Sequence, residues 1–313
     1  MIIRNQIKKL ITGLTIPQEY ICVDGLHSPL TVFLLSQNKK INVTDSHLFL
    51  GYKPLIIGLP SVADSTEIKN QRQIVLHFEY NGIVLAKLVL EKVGEKILGN
   101  RILLLFRGNH GEHHFLSNTH QWINRQRANW RVNAPNNVSL PGNLIDQVRI
   151  AYSIPRIISV ITTSDGELLN MFPTDLHGPV GEKYYAGSLR AGGLANEQVE
   201  KYKKIVISKV NISSYRQAYA LGKNHMRPLR ELSRFDVYTE RSAIFGFPLP
   251  VAVTQYKEME KIDSFEEGIH RIHLYEVKSD QVVQSGQSAL AHIHQYYAQW
   301  RLDHQIETQM LFR

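Results

Sequence analysis

Apolar and polar positions along the chain fall into short blocks, most with the two-residue alternation or the brief apolar run of a β-strand. Residues Met1–Pro17 differ. Ile2, Ile3, Ile7, Leu10, Ile11 and Leu14 recur there at helical spacing among Arg4, Lys8 and Lys9. That predicts a helix docked on its own domain, not a targeting signal, because charge interrupts the apolar run and no small-residue cleavage site follows. Strands are then predicted at Leu30–Leu35, Ile41–Thr44, Leu55–Ile57 (stopped by Pro60) and Ile102–Phe106. Gln73–Tyr80 and Ile83–Leu90 flank Asn81-Gly82, the strongest hairpin signal in the chain. Leu116–Arg127 reads as a helix.

The segment Asn133–Asn143 holds two prolines, a glycine and four asparagines, and favours turns over regular structure. It divides the chain into a β-rich amino-terminal domain, 1–132, and a carboxy-terminal domain, 143–313. In the latter, strands are predicted at Ile157–Thr162, Glu167–Met171 (across Asp165-Gly166), Lys204–Val210, Val251–Lys257 and His270–Val277. Helices are predicted at Asn196–Tyr202 and Ser214–Gly222. Many short strands with few helices imply a mainly β fold, a small barrel with appended helices. The βαβ alternation and the GxGxxG fingerprint of a dinucleotide-binding domain are both missing. Val32, Ser36, Asn42 and Leu48 recur as Val160, Ser164, Asn170 and Leu176, each 128 positions on. The first part therefore reads as a candidate degenerate copy of the second.

Composition narrows the setting. The chain has 313 residues, 43% hydrophobic and 20% charged, as expected of a folded core. A single cysteine, Cys22, excludes a disulfide framework and a Cys-rich zinc module. No run approaches the ~18 apolar residues of a membrane span. A soluble, cytoplasmic protein is expected. The net charge of +8 raises nucleic acid as a partner. Arg101, Arg107, Arg125, Arg127 and Arg131 with Trp122 and Trp130 are the densest basic and aromatic region. The remaining charge is dispersed, no nucleic-acid module accompanies it, and solvated helix charge is the preferred reading.

Two stretches carry candidate chemistry. Thr162-Thr163-Ser164-Asp165-Gly166, returning through Asn170-Met171-Phe172-Pro173-Thr174-Asp175, can line a pocket with hydroxyls, amides and main chain. Ser188-Leu189-Arg190-Ala191-Gly192-Gly193 places a hydroxyl, a guanidinium and two glycines before a helix start, at Asn196. Glycine exposes N–H groups, the helix dipole favours an anion and arginine offers a fork for phosphate oxygens. A plain turn with an N-capping asparagine is the competing reading.

The order Pro155–Thr163, Asp-Gly, Asn170-Met171, Ser188-Leu189-Arg190, then Phe245-Gly246-Phe247-Pro248, His270–Val277 and Ala289–Tyr297 resembles the flavin reductase-like family of FMN-binding split barrels. The resemblance covers about 147–301, half the chain, and lies in the order of short motifs. It implies a six-stranded Greek-key split barrel, usually a homodimer, with non-covalent FMN near the dimer interface and NAD(P)H as electron donor. The implied cofactor-binding residues are Thr162, Thr163, Asn170, Met171, Phe172, Thr174, Ser188, Leu189, Arg190 and Asn196. The threonine that many relatives carry before the helix is here replaced by Ala195. No acid–base pair is required, since hydride transfer from NAD(P)H to flavin is the cofactor's chemistry. His270 stands where relatives sometimes place a histidine near the nicotinamide, and is the one catalytic candidate. The first part reads Gly58-Leu59-Pro60 where the second has Ser188-Leu189-Arg190, so one flavin site per chain is expected. A non-catalytic flavin- or anion-binding barrel and a basic nucleic-acid-binding protein remain as alternatives.

Other clusters are weaker. His110-Gly111-Glu112-His113-His114 has ligand-type residues but reads as a surface loop, and no metal site is expected. His292 and His294 alternate along a strand and share a face, where packing is preferred over a relay or a metal. No His/Asp pattern supports Cys22 as a nucleophile.

Overall fold

The computed structural model describes residues 2–25, 28–36, 39–62, 66–130, 138–285, 288–306 and 309–312. The break expected at Asn133–Asn143 lies partly outside them, as does Arg131. Helix α1 (Ile2–Thr12) and strand β1 (Tyr20–Asp24) precede seven strands: β2 (Thr31–Ser36), β3 (Lys39–Asn42), β4 (Leu48–Tyr52), β5 (Leu55–Val62), then past α2 (Thr66–Lys69) β6 (Gln73–Tyr80), β7 (Ile83–Leu98) and β8 (Arg101–His113). Helices α3 (Asn118–Trp130) and α4 (Leu144–Ala151) lead to β9 (Arg156–Ile157), β10 (Ser159–Ser164), β11 (Leu169–Thr174), β12 (His177–Pro179) and β13 (Tyr184–Arg190). Next come α5 (Leu194–Tyr202), β14 (Lys204–Val210), α6 (Tyr215–Ala220), β15 (Val237–Arg241), β16 (Pro248–Pro250), β17 (Val253–Glu267), β18 (His270–Val282), β19 (Leu290–His294) and α7 (Gln295–Asp303).

The fold is mainly β, built on two antiparallel seven-stranded sheets. Their orders are β3-β2-β6-β7-β8-β5-β4 and β11-β10-β14-β17-β18-β13-β12. Each sheet must curl. Seven strands laid flat span roughly 29 Å at about 4.8 Å per step. Yet the two edges of the second sheet, β11 and β12, are joined only by Asp175 and Leu176, a reach of about 10 Å at most. The result is a barrel split along one seam, with seven strands where the sequence implied six. Ile161, Phe172, Tyr185, Leu189, Ile205, Ile207, Met259 and Tyr275 fill it, with Ala195 and Val199 of α5 closing one end.

Strand for strand, the two sheets have the same topology, and they also share their irregularities. Register shifts fall at Val89/Leu90 and Lys92/Gly94 in the β7–β8 pair, and at Glu258/Met259 and Lys261/Asp263 in the β17–β18 pair. Each position differs from its counterpart by 169. A third bulge, Phe78/Glu79, recurs as Lys209/Val210. Bulges re-aim a strand and belong to a particular barrel's shape, so three in matching places make the first sheet structurally equivalent to the second. The register also corrects the sequence match. Val32 lies opposite Phe78, and the counterpart of Phe78, Lys209, lies opposite Ser159. Val32 therefore corresponds to Ser159, and in β2 the spacing of 128 is one residue out, enough to exchange the two faces of a strand.

The two barrels meet through equivalent surfaces. Leu103 and Leu105 of one pack with their counterparts Ile272 and Leu274 of the other, together with Leu48, Ile56, Val180 and Ala186. Lys96 and Phe265, themselves counterparts, touch, with the ammonium 4.7 Å from the ring centre. Residues contacting their own equivalents lie on a local two-fold axis, which is how the interface of a symmetric dimer is built. Here both halves belong to one chain.

Three further expectations change. Pro60 does not end β5, which runs to Val62; beyond Gly58 the strand has only β8 as partner, and a proline without N–H is tolerated at such an edge. The histidine cluster is not a loop: its residues 110–113 continue β8, and buried His113 stacks on Phe115 at 5.3 Å. Helix α1 does dock on α3, where Asn124 Nδ2 donates to Thr12 O at 2.7 Å, but Ile7, Leu10 and Ile11 remain exposed on its outer side.

Candidate functional site

The seam of the second barrel faces the first barrel, and most of the sequence candidates gather around it. On β13 the side chains alternate. Tyr185 and Leu189 enter the barrel core, while Ser188 and Arg190 face the other copy. There His270, at the start of β18, approaches Ser188, with Nδ1 3.3 Å from Oγ. The Tyr52 main-chain N–H donates to His270 Nε2 at 3.3 Å. An accepting Nε2 leaves the proton on Nδ1 of a neutral ring, which donates to Ser188. Burial and the Arg190 charge, opposed by Asp175, hold the His270 pKa down at about 4. Arg190 Nε donates in turn to the Tyr52 hydroxyl at 2.9 Å, and the Tyr52 ring stands edge-on to His270 at 4.4 Å. Ser188, Arg190 and His270 are thus brought together, completed by a residue of the first barrel that sequence reasoning missed.

Helix α5 begins beside them. Gly193 is its N-cap, with no side-chain cap. Gly192 is exposed, and a Cβ there would meet nothing within 4 Å. The first turn therefore presents main-chain N–H groups and the positive end of the helix dipole next to Arg190. Asn196 does not serve this opening directly. Its Nδ2 donates to Ala191 O at 2.9 Å and its Oδ1 meets His273 Nε2 at 2.9 Å, so it fixes the loop that carries Gly192.

The hairpin candidates divide. Met171 and Phe172 are fully buried in packing clusters, as Leu189 is, and only their main chain is left for a ligand. Asn170 Nδ2 donates to Gln198 Oε1 at 2.8 Å and to Asn224 O at 3.0 Å, tying β11 to α5 and to the turn at Leu221–Met226. Thr163 Oγ1 donates weakly to Lys204 O at 3.4 Å, and Thr162 Oγ1 is buried without a partner. Thr174 accepts from the Leu176 N–H at 3.4 Å and so shapes the seam. His225 covers this strand, its Nε2 2.8 Å from Pro173 O and its ring 5.0 Å from Phe172.

At the seam itself Asp175 is a hub. Its Oδ2 accepts from the Tyr152 hydroxyl at 2.9 Å and from His292 Nδ1 at 3.0 Å. The other nitrogen of His292, Nε2, meets the Tyr219 hydroxyl, to which Cys22 Sγ donates at 3.0 Å. Burial pushes the Asp175 carboxyl up, but His292 and Tyr152 outweigh it and the net shift is downward. His292 and His294 share a face as expected, both against Tyr20 at 6.0 and 5.7 Å; His294 caps α7 by accepting from Tyr296 N. The relay reading, set aside on sequence, has geometry at His292. Asp175 is at the end of the candidate segment, whereas nothing local signals Tyr152 or Tyr219.

Among the described residues, no group of three or more His, Cys, Asp or Glu side chains could hold a metal ion, and no helix is long and apolar enough to cross a membrane. The basic cluster disperses, with Arg107 paired to Glu267 at 3.2 Å and Arg125 to Asp146 at 2.5 Å.

No family model matches the chain, and no curated protein does. Solved structures do. An NADH:FAD oxidoreductase of Streptomyces globisporus is 15% identical, with a TM-score of 0.42 over 50% of this chain and 94% of that one. An FMN-binding protein from Thermus thermophilus with bound p-hydroxybenzaldehyde is 15% identical, with a TM-score of 0.41 over 51% and 88%. The styrene monooxygenase flavin reductase of Pseudomonas putida is 12% identical, with a TM-score of 0.36 over 44% and 87%.

Proposed function

We propose that the chain is an FMN-binding flavoprotein that oxidises NAD(P)H and passes the electrons on, an NAD(P)H-dependent flavin oxidoreductase. The observation that carries this reading is the uncapped start of α5, open at Gly192, with Arg190 beside it and the barrel seam within the same face. An anionic phosphate would meet helix N–H groups and a guanidinium there. The main chain of Asn170–Thr174 would run along the flavin ring, and Tyr52 would hold Arg190 in place. Bound flavin supplies the hydride acceptor; the protein positions it and keeps water from the buried seam. His270, neutral and turned toward Ser188, acts as a positioning group.

The register supports one flavin per chain. Ser188 lies opposite Ile272, and Ile272 is the counterpart of Leu103, which lies opposite Pro60. The first copy therefore has Pro60 and Val62 where the second has Ser188 and Arg190. The pairing of barrels that a homodimer would supply is taken to lie within the chain, in a cytoplasmic protein.

Absorbance spectra of the purified protein, before and after FMN and then NADH or NADPH, test the reading. Bound-flavin absorbance at one equivalent, bleached by nicotinamide, is expected. A colourless protein that gains no such absorbance overturns it. Bound flavin that no nicotinamide reduces leaves a flavin-binding protein without turnover.

A further inference from the structure

The first copy crosses from β6 to β7 by the two-residue turn Asn81-Gly82, whereas the second inserts residues 211–252 between β14 and β17. That insertion lies against the outer face of its barrel and forms with it a partly open pocket of about 220 Å³. Its walls are largely apolar: Val160 and Val210 from the barrel, Ala218 and Leu221 from the helical part, Phe235 and Val251 from the return. Lys223, Arg230 and Arg234 also line it, against the single carboxylate Asp236. Among the described residues none of the three cations has a carboxylate within ion-pair distance.

Arg230 is the built part of this site. Its main chain pairs with Leu169 in both directions, at 2.9 and 2.8 Å. Its Nη2 donates to Asn224 Oδ1 at 2.8 Å, and Asn224 is buried and anchored through Nδ2 to Met171 O at 2.8 Å. The guanidinium stands 5.0 Å from the Phe235 ring centre. Its Nε is buried and has no hydrogen-bond partner. The guanidinium is thus held by one neutral side-chain partner, and its half-exposed outer edge keeps donors for an anion.

We propose that this pocket binds a small organic carboxylate with an apolar body, of about the size of benzoate, its carboxylate on the open edge of the Arg230 guanidinium and near Lys223 and its body against Val160, Val210 and Phe235. Phosphate is the poorer fit, because a fully hydrated anion leaves the apolar walls unmatched. The site is separate from the α5 opening and does not rest on the flavin reading.

Calorimetric titration of the full-length protein with benzoate tests it. One saturable site per chain is expected. The affinity should fall roughly tenfold or more in Arg230→Met and less in Arg230→Lys, with circular dichroism unchanged in both. Benzyl alcohol should not bind, and saturating FMN should leave benzoate binding intact. No saturation, equal affinity in wild type and Arg230→Met, or displacement of benzoate by FMN or by equimolar phosphate would each overturn the proposal.

Discussion

Arg190 and Tyr52 meet across the two barrels, the guanidinium Nε donating to the phenol oxygen over 2.9 Å. One residue belongs to the sheet that carries α5 and the other to its counterpart, so under the proposed function neither barrel alone would hold the whole site. Arg190 is exposed, and the contact's role is to orient the guanidinium, not to stabilise the fold.

Tyr52→Phe should therefore weaken FMN binding by roughly three- to tenfold, the worth of one ordinary solvent-exposed hydrogen bond. The thermal midpoint should be nearly unchanged. Arg190→Leu should weaken binding further, and the double variant should add little to Arg190→Leu, because the hydroxyl acts through the guanidinium. Additive losses in a fluorescence titration would show that Tyr52 works independently.

Asp175 offers a pH test. Its carboxyl is held below the ordinary value near 3.8 in the folded chain. Stabilisation from such a group is complete above the unfolded value and is lost as pH falls through the lower folded one. Asp175→Asn should destabilise the protein by about 1–3 kcal/mol, and the difference from wild type in urea midpoints should stay constant from pH 7 down to about 4.5. A difference that fades between pH 7 and 5 would mean a raised carboxyl and a different hydrogen-bond arrangement with His292.

Buried histidines begin to cost stability at higher pH. His47 is fixed as a neutral ring, its Nε2 accepting from Arg156 Nη2 at 2.9 Å and its Nδ1 donating to Val43 O at 2.8 Å. Burial, then the Arg156 charge, lowers its pKa from 6.5 to about 3. His270 and His294 are lowered, chiefly by burial, to about 4. The unfolded chain takes up these protons first, so stability is full above pH 6.5 and declines as pH falls toward 4. Each such histidine contributes a slope of about 1.4 kcal/mol per pH unit. Replacing His47 by Gln should flatten the decline by about one such unit; an unchanged slope would contradict the assignment.

What the sequence made legible was local. Gln73–Tyr80 and Lys204–Val210 match strands β6 and β14 to the residue, because a type I′ signal or a β-branched run is read by its own neighbours. β7 continues eight residues past its expected end to Leu98, and what extends it is pairing with β8, not its own composition. Asp165-Gly166 turns the chain, but through a four-residue loop in which Asp165 Oδ1 accepts from the N–H groups of Glu167 and Leu168. The site was half visible. Ser188, Arg190 and the glycines lie on one short segment, whereas Tyr52 is 138 residues from Arg190 and His292 is 117 from Asp175. Contacts that depend on how one barrel lies on another leave no trace in local pattern.

The internal pairing bears on assembly. The face through which two equal barrels would dimerise is already covered by the chain's own second copy, with Leu103 and Leu105 against Ile272 and Leu274. Size-exclusion chromatography with light scattering should give a monomer near 35.9 kDa at micromolar concentration. A dimer would require another surface.

The two-fold character of that interface can be tested at two matching glycines. Gly99 and Gly268, counterparts in the β7–β8 and β17–β18 turns, both have positive φ, +58° and +61°, where any side chain is strained. Their surroundings differ. A Cβ on Gly268 would press into the main-chain oxygen of Lys53 and the Pro54 ring, and neither can move without displacing the turn before β5. A Cβ on Gly99 would meet the Tyr184 hydroxyl at 2.7 Å, the free end of a side chain that can swing aside. Gly268→Ala should thus destabilise by about 3 kcal/mol or more, and Gly99→Ala by about 1 kcal/mol. Gly82→Ala, also at positive φ but with nothing within 4 Å, should also lose about 1 kcal/mol. Urea unfolding of the three variants separates backbone strain, common to all, from the main-chain clash between barrels that Gly268→Ala creates and that a side-chain movement cannot relieve. Equal losses would mean that the barrels do not pack through these turns.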